Sequence, residues 1–151
     1  MPDPSLFFRI GTLIAVAGWL ALLTGLLAPS VRHAAIQLAR LIIPTLLALA
    51  YAPLILFGFE ESAGGGFGSI EQVRALFASD AALAAGWLHY LAFDLFVGSW
   101  EVEDSRASRV HAWLVVPCLG LTFLFGPLGL LLYLILRLAF RRRSPVQESL
   151  S

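Results

Sequence analysis

Residues 81–100 read AALAAGWLHYLAFDLFVGSW, and the reading of this stretch decides the fold. As a helix it is long enough to cross the apolar core of a bilayer, which takes about 20 residues. In water the same run would be an ordinary core helix. In lipid, an ionisable side chain at its centre is costly, so Asp94 must face protein or water and becomes a candidate functional residue. His89, five residues earlier, shares that predicament.

The rest of the chain supports the membrane reading. Hydrophobic residues make up 59% of the sequence and charged residues 13%, against roughly 45–50% and 25% in soluble domains; mean hydropathy is +0.84. Three further apolar runs, residues 10–27, 41–59 and 114–136, also have spanning length. Of all the Asp, Glu, Lys, Arg and His residues, His89 and Asp94 alone fall inside the four runs. The pattern predicts an all-α polytopic membrane protein, one four-transmembrane-helix bundle occupying residues 1–151 as a single domain. Residues 10–27 are too long for the apolar part of a signal peptide and lack a good cleavage site, so they read as a retained helix.

All ten basic residues are arginine. With four crossings, Arg9, Arg74, Arg137 and the Arg141–Arg143 run share one side, facing Arg32, Arg40, Arg106 and Arg109 on the other. The run directly after the last helix favours both termini in the cytoplasm. The zero net charge excludes a nucleic-acid partner. Cys118 is the single cysteine, so no intramolecular disulfide or thiolate metal site can form.

Between the second and third runs lies a loop with Gly64-Gly65-Gly66-Phe67-Gly68. A phosphate-binding loop would need a following lysine, and there is none. Ser69-Ile70-Glu71-Gln72 has capping-box spacing, and Ile70, Val73, Leu76 and Phe77 recur at helical intervals. A short amphipathic helix on the membrane face is expected here, with Asp80 as N-cap of the next span. Pro53 predicts a kink in the second span, and Gly126-Pro127-Leu128-Gly129 interrupts the fourth near its middle.

At 100° per residue, Trp87, Tyr90, Asp94, Val97, Gly98 and Glu101 share one face of the third span. His89, Phe93, Phe96 and Trp100 form a second stripe, so His89 and Asp94 do not pair along their own helix. Both can face protein if this helix is central. With no basic partner in any span, Asp94 suits a carboxylic acid that holds and delivers a proton. A metal site is not expected: His89, Asp94 and a loop carboxylate such as Glu71 or Glu101 lack paired ligand spacing.

These residues resemble a known family. The order of glycine-rich loop, Phe67-Gly68-Ser69, the short helix ending Arg74-Ala75-Leu76-Phe77, then Gly86-Trp87-Leu88-His89-Tyr90-Leu91-Ala92-Phe93-Asp94-Leu95-Phe96-Val97-Gly98-Ser99-Trp100, is similar to the abscisic-acid-deficient-four (neoxanthin synthase-like) family. Phe123-Leu124-Phe125-Gly126-Pro127-Leu128-Gly129 extends the resemblance. It implies the same four-helix architecture and a link to converting violaxanthin into neoxanthin, an isomerisation that needs an acid and a base but no redox cofactor. On that basis Asp94, His89 and Tyr90 are the candidate catalytic residues. Trp87, Phe93, Trp100 and Phe67 are the candidates to hold the substrate. The expected partners are membrane lipid or carotenoid, and a second copy of the chain or another carotenoid-pathway enzyme. The Ala/Leu/Arg bias points to a bacterial inner membrane. The alternative is a non-catalytic lipid- or pigment-binding or assembly subunit.

Overall fold

The computed structural model describes residues 3–141, and all regular structure among them is helical. Helix α1 spans Pro4–Leu27, α2 Arg32–Gln37 and α3 Ile43–Glu61, with a π-helical turn, Leu38–Ile42, joining the last two. The short α4 covers Ile70–Leu76, α5 Asp80–Ala107, α6 Ala112–Phe125 and α7 Pro127–Arg141. Three segments are long and apolar enough to cross a membrane: Pro4–Leu27, Arg32–Leu56 and Asp80–Ala107. Their outer faces carry exposed Leu13, Leu49 and Leu56, as a lipid-facing surface requires.

Helix α5 is central, packed against α1, α3 and the α6–α7 pair. Gly11, Ala15 and Gly18 of α1 are buried, and Leu88 and Leu95 of α5 lie against the two glycines. Small side chains here let two backbones approach closely, which is how helices gain contact in lipid.

The fourth apolar run departs from expectation. Residues 114–136 do not form one crossing helix, because the chain reverses at Gly126. His111 at the start of α6 meets Phe140 near the end of α7, ring centroids 5.8 Å apart. Tyr133 and Arg137 of α7 both reach Asp104 at the far end of α5. Gly126 itself lies at Asp94, the middle of α5; a Cβ there would sit 2.8 Å from Asp94 Oδ1. With 14 and 15 residues, α6 and α7 are each only about 21–23 Å long at 1.5 Å per residue, short of the ~30 Å apolar core. They form a hairpin that enters from one end of α5, turns at mid-depth and returns.

The turn has a local cause. Gly126 adopts φ +41°, a backbone region L side chains avoid, and Pro127 restarts the helix with its fixed φ. Gly129 lies so close to Thr122 and the Cys118 carbonyl that no side chain would fit.

The hairpin corrects a second expectation. Pro4 lies beside Asp80 at one end of α5, whereas the end of α7 lies at the other, so the described ends of the chain do not share a side. Arg142 and Arg143 of the expected arginine run fall outside the described residues.

Three smaller expectations fare differently. Helix α4 forms with the expected N-cap, the Ser69 hydroxyl accepting from the Gln72 amide at 3.3 Å, but the return bond of Gln72 Oε1 is to the Gly68 amide at 2.9 Å, one residue before the cap. The N-cap of α5 is Ser79, not Asp80; its extended backbone lets the hydroxyl accept from the Ala82 amide at 3.4 Å. Pro53 sits within a continuous α3, and the marked irregularity is the π turn before it.

Candidate functional site

Because the α6–α7 hairpin stops halfway, the other half of its side of the bundle is left open. A cavity of about 820 Å³ lies there, within the usual range for ligand pockets of about 300–1,000 Å³. Its walls are Phe8 and Thr12 of α1, Leu83, Gly86, Trp87, Tyr90 and Leu91 of α5, and Phe123, Leu124, Phe125 and Leu128 at the hairpin tip. Phe77, just after α4, closes its outer end.

One wall is an aromatic ladder. Phe8 stacks on Trp87 at 5.3 Å between centroids, and Trp87 on Tyr90 at 5.4 Å. Each ring is fixed at its polar edge or by its neighbour. The Trp87 indole N–H donates to Thr12 Oγ1 at 2.9 Å, and the Thr12 hydroxyl in turn donates to the Phe8 carbonyl at 2.7 Å. The Tyr90 hydroxyl donates to the Phe123 carbonyl at 3.2 Å, one of the last-turn carbonyls of α6 that its own helix leaves unpaired.

Asp94 stands one turn beyond Tyr90, with its carboxyl pressed against the hairpin at Gly126. Its Oδ2 is buried and without a hydrogen-bond partner. Buried polar atoms are normally paired, so an orphan acceptor of this kind calls for an explanation. The group does not line the cavity itself; it sits behind Tyr90 at the cavity's inner end.

The other expected site residues are dispersed. Tyr90 and Trp87 join Asp94 on the hairpin side of α5, while His89 stacks on Phe93 at 4.5 Å and faces Tyr51 of α3 at 6.1 Å. Phe93 is exposed and edges a separate groove against α3. Trp100 packs against Tyr133 and under the Arg137 guanidinium at the opposite end of the hairpin. Phe67 is 73% exposed in the glycine-rich loop. Among the described residues no group of three or more His, Cys, Asp or Glu side chains is arranged to hold a metal ion.

A second polar layer ties the hairpin to α5. Glu101 is fully buried, and its two oxygens lie 3.0 and 3.2 Å from the Thr122 hydroxyl, which donates to it. Asp104 accepts from Arg137 Nε and Nη2 at 2.6 and 3.0 Å, from Tyr133 at 2.7 Å and from Ser108 at 2.7 Å. Arg40, in the π turn, donates to Ser99 and pairs with Glu103 at 2.6 Å. The sequence offered one signal for Glu101: it shares the helical face of Tyr90 and Asp94.

No curated protein and no solved structure matches the chain. The family model described as ABA DEFICIENT 4-like does match, over residues 6–133, which takes in nearly all of α1, all of α5, the loop between α3 and α5, α6, the hairpin tip and the first half of α7. The matched stretch is most of the chain and includes every wall of the cavity, and the chain accordingly belongs to the ABA DEFICIENT 4-like family.

Proposed function

We propose that this protein is a membrane enzyme that isomerises an epoxidised carotenoid or a related isoprenoid lipid by acid–base chemistry. The family is linked to neoxanthin synthase-like function. The observation that carries the reading is the apolar, aromatic-walled cavity at membrane depth whose inner end stops at Tyr90, with Asp94 and its unpartnered Oδ2 directly behind.

A flat polyene suits the Phe8–Trp87–Tyr90 ladder, because aromatic faces offer large apolar area with defined stacking geometry. Asp94 donates its proton to the epoxide oxygen, and the carbon–oxygen bond opens to a tertiary hydroxyl. The electron-poor carbon left behind is relieved when an adjacent polyene carbon sheds a proton, which forms the allene and returns the carboxylate to its acid form. The product is an isomer of the substrate, so the atoms balance with no oxidant or reductant. Tyr90 adjoins Asp94 and orients it. His89, with its ring toward Tyr51 and Phe93, acts through the packing of α5 rather than at the same group.

A second reading, a lipid- or pigment-binding subunit without turnover, draws on a different observation. The Tyr90 hydroxyl is already engaged by Phe123, and Asp94 lies behind the wall rather than on it. The two readings separate in carotenoid-producing cells analysed by chromatography and mass spectrometry with and without this chain. A carotenoid isomer that appears only with the chain, and disappears with Asp94→Asn, supports the enzyme. Pigment that co-purifies unchanged supports the binder.

Three crossings and a returning hairpin also bear on orientation. Arg32, Arg40, Arg106, Arg109, Arg137 and Arg141 gather at the hairpin-base end, and the sequence continues into Arg142 and Arg143, whereas Arg9 and Arg74 lie at the other. By the positive-inside rule the hairpin base and C-terminus face the cytoplasm of a bacterial inner membrane, and the N-terminus and cavity mouth face away.

A further inference from the structure

Helix α1 ends at the arginine-rich end of the bundle, and its last carbonyls have no partner in their own helix. Arg32 supplies one: Nε donates to the Gly25 carbonyl at 3.1 Å and Nη2 to the Leu26 carbonyl at 3.2 Å. The third nitrogen, Nη1, is buried and makes no hydrogen bond. Leaving such a donor unmade is costly, and more so for a charged group. Helix α2 packs against α5, and the charge of α5 whose field reaches Arg32 is a like one, Arg106 in its last turn. Arg106 is exposed, and its side chain has no hydrogen bond or ion pair among the described residues. Arg40 is different, since Glu103 already neutralises it. Two guanidinium groups, one with an orphaned buried donor, therefore stand at the same end of the bundle, and among the described residues no carboxylate pairs with either.

We propose that Arg32 and Arg106 form a binding site for a phosphate-bearing anion. Guanidinium groups match phosphate oxygens in geometry as well as charge. At this end of the bundle the source is the headgroup of an acidic phospholipid, and free phosphate shares the same chemistry. The bound anion would pair the orphaned Nη1, screen the two cations from each other and fix the α1–α2 corner against the end of α5.

Thermal unfolding and native mass spectrometry of the full chain in a neutral detergent test this, with phosphatidylglycerol, phosphatidylcholine or inorganic phosphate added. The expected result is a rise in melting temperature with phosphatidylglycerol and one retained anionic lipid. Arg106→Gln should weaken that binding about fivefold to tenfold, as expected for one interfacial arginine. Arg106→Glu should abolish it, and Arg74→Gln, at the opposite end, should leave it unchanged. An equal, Arg106-dependent shift with inorganic phosphate would assign the site to free anion rather than lipid. A phosphatidylglycerol effect of the same size in wild type and both Arg106 variants would overturn the site.

Discussion

Asp94 and Glu101 are seven residues apart on the face of α5 that meets the hairpin, and they answer burial in different ways. Glu101 has the Thr122 hydroxyl, whereas one Asp94 oxygen has nothing. If Glu101 is structural, removing its donor should be felt in stability. Thr122→Val is expected to destabilise the protein by about 1–3 kcal/mol, the cost of stranding a buried acceptor, seen as a lower melting temperature in detergent. Glu101→Gln keeps the shape and should cost less. Asp94→Asn should behave in the opposite sense, with the melting temperature held within a few degrees and turnover lost. A collapse of folding in Asp94→Asn would mean that its carboxyl serves the hairpin rather than a substrate. The Asp94 candidacy was legible in the sequence because a lone carboxylate amid apolar residues stands out. Glu101 was not legible in the same way. It adjoins Glu103 and Asp104 in what reads as a charged loop, and only the continuation of α5 to Ala107 buries it.

Among the elements, α1, α3 and α5 could be read almost directly, since each carries an apolar run of bilayer length. The hairpin could not, and the reason is arithmetic. The apolar run 114–136, shared between helices of 14 and 15 residues, has by itself about the length of one crossing, and hydropathy does not record direction. The signal was the Gly126-Pro127 pair: apolar pieces of about 10–14 residues are better read as re-entrant than as halves of a span. Gly126→Ala tests the turn. An L residue at φ +41° is strained, typically by about 1–3 kcal/mol, and its Cβ would press on Asp94. Stability and activity should therefore fall together, whereas Gly120→Ala, which meets open space, should cost neither. Helix α4 makes a second element-scale prediction. Ser69→Ala removes its N-cap, worth about 1 kcal/mol, and should speed amide exchange across Ile70–Leu76. Glu71, in the first turn, is held below its ordinary pKa by its own backbone N–H and then by the Ser69 hydroxyl. Its contribution is thus present above the usual glutamate range and fades as the pH falls through the lowered value, so the protection factors of the α4 amides, measured against the intrinsic exchange rate at each pH, should fall on acidification.

For the whole molecule, the hairpin decides which ends of the chain share a compartment. Four crossings would return the end of α7 to the side of Pro4; three crossings and a hairpin place that end with the loop after α5. The second arrangement also concentrates arginine at one end, with Arg9 and Arg74 alone at the other, a far steeper bias than four crossings produce. Single cysteines on a Cys118→Ala background separate the two. Cys118 is buried, so its removal should leave the surface unchanged. A membrane-impermeant thiol reagent on intact cells should label Ser5→Cys. Ala107→Cys, and a cysteine appended after Ser151, should react only once the membrane is opened. Labelling of the appended cysteine together with Ser5→Cys would mean that α6 and α7 cross as one span. The cavity would then lose its cause, because it exists where the fourth helix fails to continue. The expected pattern instead opens the cavity to the leaflet opposite the arginines. A lipid substrate would then enter from that leaflet, beneath the hairpin tip, with Phe77 at the outer end and Tyr90, in front of Asp94, at the inner end.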